Sequence, residues 1–219
     1  METPNRMNII LDMDGTLIDD SCNPRPYVHE FFIYCFRKFQ TVSIWTAASR
    51  EWYDEVYNVL FEEILTGCSY FLGFRCDFHF VYTGERCVKS YSVDPDEYYG
   101  IRPPIRIIKP LRKIWKAKKL YPCFTEDNTI IIDDNISTFS ENYGNALHIP
   151  EYIGGQDIHM LSLIQYLDLL YDDFIKYKTV RNIEKRGWYN SPELIAQSLA
   201  LIRKHNNSAS DIIEWVESL

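Results

Sequence analysis

Carboxylate side chains follow two short apolar runs of the sequence, and a hydroxyl group ends a third run. The residues are Asp12 and Asp14 after the first run, Thr46 at the end of the second, and Asp133 and Asp134 after the third. If these carboxylates lie close together, they repel one another unless some are protonated or a cation neutralises them. Because the donors are all oxygen atoms, we expect that cation to be Mg²⁺ rather than zinc.

The spacing of Asp12 and Asp14 allows two different chemical roles. In such a D-x-D pair, one carboxylate attacks phosphorus, and the other begins protonated and gives its proton to the leaving oxygen. Gly15 follows at once and lets the backbone turn tightly beneath a phosphate. Together with Mg²⁺, a hydroxyl and a nearby lysine, this pair is suited to phosphoryl transfer, in which cations stabilise the charge on the equatorial oxygens.

The apolar runs predict buried β-strands that position these residues. The strands are predicted at 8–11, 41–46 and 129–132, with one more at 146–149. Segments with helical spacing are predicted at 28–39, 52–65, 111–120 and 159–176. Buried strands that alternate with helices predict an α/β fold with a Rossmann-like parallel sheet and helices on both faces. Because the C-terminal ends of parallel strands lie at one edge, the reactive residues should meet there.

Two regions lie outside this alternating pattern. Residues 67–104 are irregular and rich in Gly, Pro and aromatic residues, which predicts a small insertion with short strands around 78–82. The tail predicts two helices, one that begins at Ser191 and Pro192 and one that begins near Ser210. We therefore expect a main domain over residues 6–170, with its insertion at about 67–104, and a helical extension over residues 171–219.

Composition restricts the cellular setting. A formal net charge of -8 disfavours non-specific binding to nucleic acid. The six cysteines include no C-x-x-C pair, so we expect reduced thiols and no zinc site. We find no signal peptide and no apolar run long enough for a membrane span, and we expect a soluble intracellular protein of the cytoplasm or nucleus that does not bind membranes.

The segment NIILDMDGTLI, residues 8–18, resembles the first motif of the haloacid dehalogenase superfamily, DxDG[TS][LV]. The next segments resemble the RNA polymerase II C-terminal-domain phosphatases, including the small members of that family. RPYVHEFF at 25–32 resembles their R-P-x-x-x-E-F-L stretch, and WTAAS at 45–49 resembles their F-T-A-S motif. IKPL at 108–111 and IIDD at 131–134 resemble their V-K-D-L and I-I-D-[DN] motifs. The resemblance runs from about residue 6 to 170.

The resemblance implies a role for each motif residue. Asp12 would be the nucleophile and a Mg²⁺ ligand, and Asp14 would be the general acid and base, with its backbone carbonyl on the metal. Thr46 and Lys109 would hold the phosphate oxygens of the substrate, and Thr16 would support the loop at that substrate-binding site. Asp133 and Asp134 would complete the metal site, directly or through water.

Three hypotheses follow for the function. The first is a protein serine/threonine phosphatase, because the short stretch between Asp14 and Trp45 leaves no room for a large cap over the cleft. The second is a phosphatase that acts on a nucleotide or a nucleic-acid terminus, which is favoured by Gly15 and by a stretch of eight basic residues and no acidic residue at 98–125. That stretch could equally be a solvated helix face. The third is a non-enzymatic binding module that uses the C-terminal helices. The sequence leaves the oligomeric state open.

Overall fold

A computed structural model of the chain describes residues 6–91, 105–142, 144–205 and 209–219. Its strands, in chain order, are β1 (Asn8–Leu11), β2 (Thr41–Trp45), β3 (Val81–Tyr82), β4 (Val88–Tyr91), β5 (Ile105–Ile108), β6 (Thr129–Asp133) and β7 (Ala146–His148). Five of them form one sheet in the order β3-β2-β1-β6-β7, and all neighbours in it are parallel. Strands β4 and β5 form a separate antiparallel pair.

The centre of the sheet is apolar on both faces. Ile9 and Leu11 of β1 lie in the same apolar cluster as Ile130 and Ile132 of β6. Ile10, between them, lies with Ile131 in a second cluster on the opposite face. This alternation follows from the period of two residues in a strand. Continuous apolar runs are typical of parallel strands that are covered on both faces.

Helices cover both faces, and they confirm the predicted α/β class. They are α1 (Val28–Lys38), α2 (Arg50–Val56), α3 (Glu62–Leu72), α4 (Arg112–Trp115), α5 (His159–Tyr177), α6 (Pro192–His205) and α7 (Ala209–Ser218). Helices α1 and α5 pack on one face of the sheet. Helix α4 covers the other face, where Ile114 packs with Leu120 and Phe124 from the turns that follow. The helix predicted at 111–120 is therefore much shorter than expected.

The first residues of the predicted insertion are helical and not irregular. A π-helical segment, Tyr57–Phe61, joins α2 to α3, and α3 continues to Leu72. Gly67 suggested a loop, but it lies within α3, where an added Cβ would be 2.9 Å from Nε2 of His29 in α1. The small residue thus permits close packing of two helices. Residues 92–104 of the predicted insertion lie outside the described residues.

The predicted domain boundary at residue 170 lies within helix α5, and the division into two domains stays a prediction. The two predicted tail helices are present as α6 and α7. Ile212 and Val216 of α7 are buried in the main apolar cluster beside α1. Lys38 of α1 also donates a hydrogen bond from Nζ to the carbonyl oxygen of Leu219 at 3.0 Å. Among the helices that the structure describes, none has the length and hydrophobicity required to cross a bilayer.

Candidate active site

The parallel strands bring three of the predicted carboxylates together at the C-terminal edge of the sheet. Asp12 follows β1, and Asp133 ends the neighbouring strand β6. The backbone N–H of Asp12 donates to the carbonyl oxygen of Ile132 at 2.9 Å, which continues the pairing of the two strands up to the site. Carboxylate oxygens of Asp12, Asp133 and Asp134 lie within 4.8 Å of one another. We call Asp12, Asp133 and Asp134 the acidic triad.

Lys109 supplies a buried cation to the acidic triad. Its Nζ lies 2.5 Å from Oδ1 of Asp12 and 2.7 Å from Oδ2 of Asp133. Its backbone, just after β5, is held at both ends: its N–H donates to the carbonyl oxygen of Thr138 at 2.6 Å, and its carbonyl oxygen accepts from Nδ2 of Asn142 at 2.7 Å. These contacts therefore fix Lys109, which comes from a separate part of the chain, beside Asp12, the predicted nucleophile.

The turn after Asp14 packs directly against Asp134. Gly15 has a φ of 73°, and a Cβ at this position would lie 2.9 Å from Oδ2 of Asp134. Thr16 donates from Oγ1 to Oδ1 of Asp134 at 3.1 Å, and the same Oγ1 accepts from the backbone N–H of Asp134 at 3.2 Å. Thr16 thus holds the acidic triad, and its predicted part in substrate binding stays a prediction.

Asp14 points its carboxylate away from the acidic triad. Its Oδ2 accepts a hydrogen bond from Oγ1 of Thr46 at 3.2 Å, and its Oδ1 accepts one from the indole nitrogen Nε1 of Trp52 at 2.6 Å. Thr46 is fully buried at the end of β2. The two predicted catalytic aspartates therefore have separate partners. The predicted metal contact of Asp14, through its backbone carbonyl, and the predicted phosphate contact of Thr46 stay predictions.

Comparison with protein families places this site in a known group. The model of the NLI interacting factor-like phosphatase family matches residues 2–181. The chain belongs to that family. Its membership confirms the family that the sequence predicts, a family of phosphatases. No curated protein sequence matches the chain.

Two solved structures of RNA polymerase II C-terminal-domain phosphatases resemble this member of the family at low identity. A fission yeast Fcp1 variant bound to beryllium fluoride is 12% identical with a TM-score of 0.42, and the match covers 94% of this chain and 66% of that one. A second Fcp1 structure is 15% identical with a TM-score of 0.38, and the match covers 95% of this chain and 56% of that one. The present chain thus spans only part of the Fcp1 chains.

The electrostatics of this phosphatase site depend on burial and on like charges. Burial and the charge of Asp133 raise the pKa of Asp12 well above its usual value, although Lys109 acts in the opposite direction. Burial and Asp133 also raise the pKa of Asp134. Burial alone would lower the pKa of Lys109, but its two carboxylate partners outweigh it and raise that pKa. The lysine therefore stays charged, while Asp12 and Asp134 are costly to ionise without a further cation.

The donor set of the acidic triad fits a divalent cation. Three carboxylates and one ammonium group carry a net charge of minus two when all are ionised, which one divalent ion neutralises. All donors are oxygen atoms, as Mg²⁺ prefers. Among the described residues, this is the group of acidic, His and Cys side chains whose ligand atoms lie close enough to share an ion. Asp12, Asp133 and Asp134 are therefore the residues that could hold Mg²⁺.

Several residues that shape the site were not predicted. Trp52 was assigned only to the start of a helix, and Asn142 was assigned no role. Ser49 caps α2 by accepting the backbone N–H of Trp52 at 3.2 Å, which fixes the first turn of that helix beside Thr46. The position of Trp52 in the first turn after a reactive strand end was the available signal. Asn142 offered none, because its contacts with the segment of Lys109 join distant parts of the chain.

The described residues of the basic stretch have different partners. Lys109 enters the site, Arg112 pairs with Glu141, and Lys113 donates from Nζ to the carbonyl oxygen of Arg86 at 2.9 Å. Further along the chain, the carbonyl oxygen of Cys123 accepts a hydrogen bond from Nδ2 of Asn8 at 2.8 Å. Asn8 begins β1, so this contact lies at the end of the strand opposite to Asp12. Of the basic residues in the described part of this stretch, Lys109 is thus in contact with the acidic triad, while Arg112 and Lys113 have partners elsewhere.

The stretch between β1 and β2 contains no cap domain. It consists of the site loop, helix α1 and the short connection at residues 39 and 40, all of which the structure describes. The cleft above Asp12 and Asp14 is thus free of the inserted domain that the short sequence separation already excluded.

Proposed function

We propose that the protein is a Mg²⁺-dependent phosphatase that forms an aspartyl-phosphate on Asp12 and acts on phosphoserine or phosphothreonine in proteins. The observation that carries the proposal is the contact of the buried Lys109 ammonium with both Asp12 and Asp133 inside the acidic triad. A carboxylate held beside a fixed cation is suited to attack phosphorus, because the cation stabilises the charge of the phosphoryl group during transfer.

In the first step, a carboxylate oxygen of Asp12 forms a bond to phosphorus as the bond from phosphorus to the substrate oxygen breaks. The electron pair of the broken bond stays on the substrate oxygen, which takes the proton of Asp14. Lys109 remains beside Asp12 and stabilises the negative charge of the phosphoryl oxygens, and Thr46 donates to them. The first product, which now carries a free hydroxyl group, then departs, and an aspartyl-phosphate remains on Asp12.

In the second step, Asp14 acts as a base. It removes a proton from a water molecule whose oxygen attacks phosphorus, and the electron pair of the phosphorus–oxygen bond returns to Asp12. The side chain of Asp14 is held by Thr46 and Trp52, so the same carboxyl group is in place for both proton transfers. When bound at Asp12, Asp133 and Asp134, Mg²⁺ would neutralise the carboxylates and polarise the phosphoryl oxygens.

A phosphoprotein is the proposed substrate because of the family and the open approach to the site. The family supports a protein phosphatase. The absence of a cap domain between β1 and β2 leaves room for a peptide chain at the two aspartates. The family match gives no support for a nucleic-acid terminus.

The test is hydrolysis of para-nitrophenyl phosphate and of a phosphoserine peptide with Mg²⁺ and with a chelator. Both activities should require Mg²⁺ and should fall below detection in Asp12→Asn. The matched control is Asp20→Asn, since Asp20 is exposed on the loop that follows the same motif. A hydroxylamine-sensitive phosphate label should appear on the wild type and not on Asp12→Asn.

The substrate class is tested by a direct comparison of two phosphorylated substrates. We expect the phosphoserine peptide to be turned over faster than an oligonucleotide with a 3′- or 5′-terminal phosphate. A preference for the oligonucleotide would reject the proposed substrate and keep the chemistry. Full activity in Asp12→Asn would reject the chemistry itself.

A further inference from the structure

A tryptophan outside the sequence motifs touches the predicted general acid. The indole Nε1 of Trp52 lies 2.6 Å from Oδ1 of Asp14, the shorter of the two side-chain hydrogen bonds that this carboxyl group accepts. The indole is partly buried against the main apolar cluster, and Ser49 caps the turn that carries it. Its orientation is therefore set by packing and by the cap, and not by Asp14 alone.

The two oxygens of Asp14 have partners of different kinds. An indole N–H can only donate, so the oxygen that faces Trp52 must be an acceptor and cannot direct an O–H group toward it. The other oxygen, Oδ2, faces the hydroxyl of Thr46 at 3.2 Å, and a hydroxyl can donate or accept. That hydroxyl oxygen already accepts the backbone N–H of Ala48 at 2.9 Å, which fixes it in place. When Asp14 carries a proton, the indole donor at Oδ1 therefore favours Oδ2 as the site of that proton.

We propose that Trp52 is a positioning residue that holds the catalytic proton of Asp14 on Oδ2, beside Thr46. The inference rests on the proposed function, because it assigns an atom to the proton that Asp14 transfers. That proton moves from Oδ2 to the substrate oxygen, which receives the electron pair of its broken bond to phosphorus. In the second step, the same Oδ2 accepts the proton of the attacking water.

Without the indole N–H, the carboxyl group of Asp14 loses the fixed donor that faces its Oδ1. The proton can then be on either oxygen, and the group can rotate about its last bond. Only part of the molecules would present the proton to the leaving oxygen at any moment. The loss should matter most for leaving groups that need a proton, and it should vanish for leaving groups that depart as stable anions.

The test is a series of aryl phosphates of similar size, from phenyl phosphate to 2,4-dinitrophenyl phosphate, measured as kcat/KM. This parameter reports the steps up to departure of the first leaving group, so the later hydrolysis does not enter. In Trp52→Phe, kcat/KM for phenyl phosphate should fall by about 10- to 100-fold, a part of the roughly 10²–10⁴-fold that a general acid supplies. The value for 2,4-dinitrophenyl phosphate should change by less than about 3-fold.

Two reference variants frame this result. Asp14→Asn removes the proton entirely and should give the steepest dependence on the leaving group, with Trp52→Phe between it and the wild type. Trp188→Phe removes another indole hydrogen bond, from Nε1 to the carbonyl oxygen of His148 at 2.9 Å, and Trp188 has no contact with Asp14. It should leave the dependence on the leaving group unchanged.

An equal loss of kcat/KM across the series in Trp52→Phe would overturn the inference, because it would indicate a purely structural role or a substrate contact. No loss at any leaving group would overturn it as well. If Trp52→Phe does not fold, replacement of Trp52 by benzothienylalanine keeps the bicyclic shape and removes only the N–H, and the same outcomes apply. Failure of the proposed function is distinct, since the wild type would then show no activity that depends on Asp12.

Discussion

The ammonium nitrogen of Lys109 lies 2.5 Å from Oδ1 of Asp12, and no part of the lysine side chain is exposed. A buried charge is stable only when it is paired and hydrogen-bonded, and Lys109 meets this requirement by contact with Asp12 and Asp133. One ammonium group leaves the acidic triad with two uncompensated negative charges. The protein therefore already contains part of the positive charge that the site needs, and a divalent cation can supply the rest.

Lys109→Met should destabilise the protein and make it more dependent on Mg²⁺ for its stability. The change leaves three close carboxylates without their cation, and removal of one partner of a buried ion pair costs about 3–5 kcal/mol. Thermal denaturation should therefore show a lower Tm, and added Mg²⁺ should raise the Tm of Lys109→Met by more than that of the wild type.

Lys119→Met is the control for Lys109→Met, because Lys119 is an exposed lysine. Its stability should change by less than about 0.5 kcal/mol. An identical Mg²⁺-induced shift in Tm for wild type and Lys109→Met would contradict the idea that lysine and metal share the neutralisation of the triad.

Gly15→Ala should weaken metal binding as well as stability. Gly15 has a φ of 73°, where an alanine is strained by about 1–3 kcal/mol, and its new Cβ would lie 2.9 Å from Oδ2 of Asp134. The displaced carboxylate should raise the Mg²⁺ concentration for half-maximal activity by about 10-fold or more. A titration of activity with Mg²⁺ measures this effect.

Gly73→Ala separates the effect of backbone strain from the effect of contact with Asp134. Gly73 has the same φ of 73°, and no atom lies within 4 Å of an added Cβ. This variant should lose a similar amount of stability and keep the wild-type requirement for Mg²⁺. If both variants had the same Mg²⁺ requirement, contact with Asp134 would not be the reason that Gly occupies position 15.

Mg²⁺ should bind more weakly as the pH falls. Burial and the charge of Asp133 raise the pKa of both Asp12 and Asp134, so protons compete with the metal at a higher pH than for exposed carboxylates. Calorimetric titration between about pH 8 and pH 5.5 should show release of protons on binding and a falling affinity.

Asp134→Asn should weaken the binding of Mg²⁺ and reduce the number of protons released, since one of the two carboxyl groups with a raised pKa is gone. Glu141→Gln removes a partly exposed carboxylate that pairs with Arg112 outside the triad, and it should leave both quantities unchanged. Binding of Mg²⁺ without any proton release in the wild type would show that the carboxyl groups are already ionised in the metal-free protein.

The sequence predicted the strands and the meeting of their ends because both depend on local pattern. Short apolar runs rich in β-branched residues, such as Asn8–Leu11, favour buried strands, and parallel strands have one C-terminal edge. The extent of α3 was not predictable, since Gly67 favours a loop until it is known to face His29 of α1. Trp52 and Asn142 were missed for the same physical reason: their roles come from contacts with distant parts of the chain.

The motif residue Arg25 shows a further limit of sequence reasoning. The resemblance included it in the stretch RPYVHEFF but gave it no task. Its guanidinium group is fully buried and donates from NH1 to the carbonyl oxygen of Thr16 at 3.1 Å. It also pairs through NH2 with Oδ2 of Asp157 at 2.9 Å. Arg25 therefore ties the site loop to the segment before α5, a role that only the folded chain reveals.

The Arg25–Asp157 pair predicts a loss of stability in acid. Burial alone would raise the pKa of Asp157, but hydrogen bonds from His159 and Arg25 outweigh it and hold that pKa below its usual value of 3.8.

A carboxyl group whose pKa is lowered by folding stabilises the folded state above its usual pKa, and this contribution is lost as the pH falls through the folded-state pKa. Asp157→Asn should therefore be less stable than the wild type near neutral pH by about 3 kcal/mol or more, because Arg25 is left buried without its anion. The difference should begin to shrink as the pH falls below about 4, because the unfolded wild type then takes up a proton at Asp157, and it should continue to shrink until the pH passes the folded-state pKa. Denaturant unfolding at a series of pH values measures both quantities, and Asp54→Asn, which breaks the exposed pair with Arg50, should cost at most about 1 kcal/mol at any pH. A constant stability difference between Asp157→Asn and the wild type down to the lowest pH would show that the charge of Asp157 is not what holds the site loop.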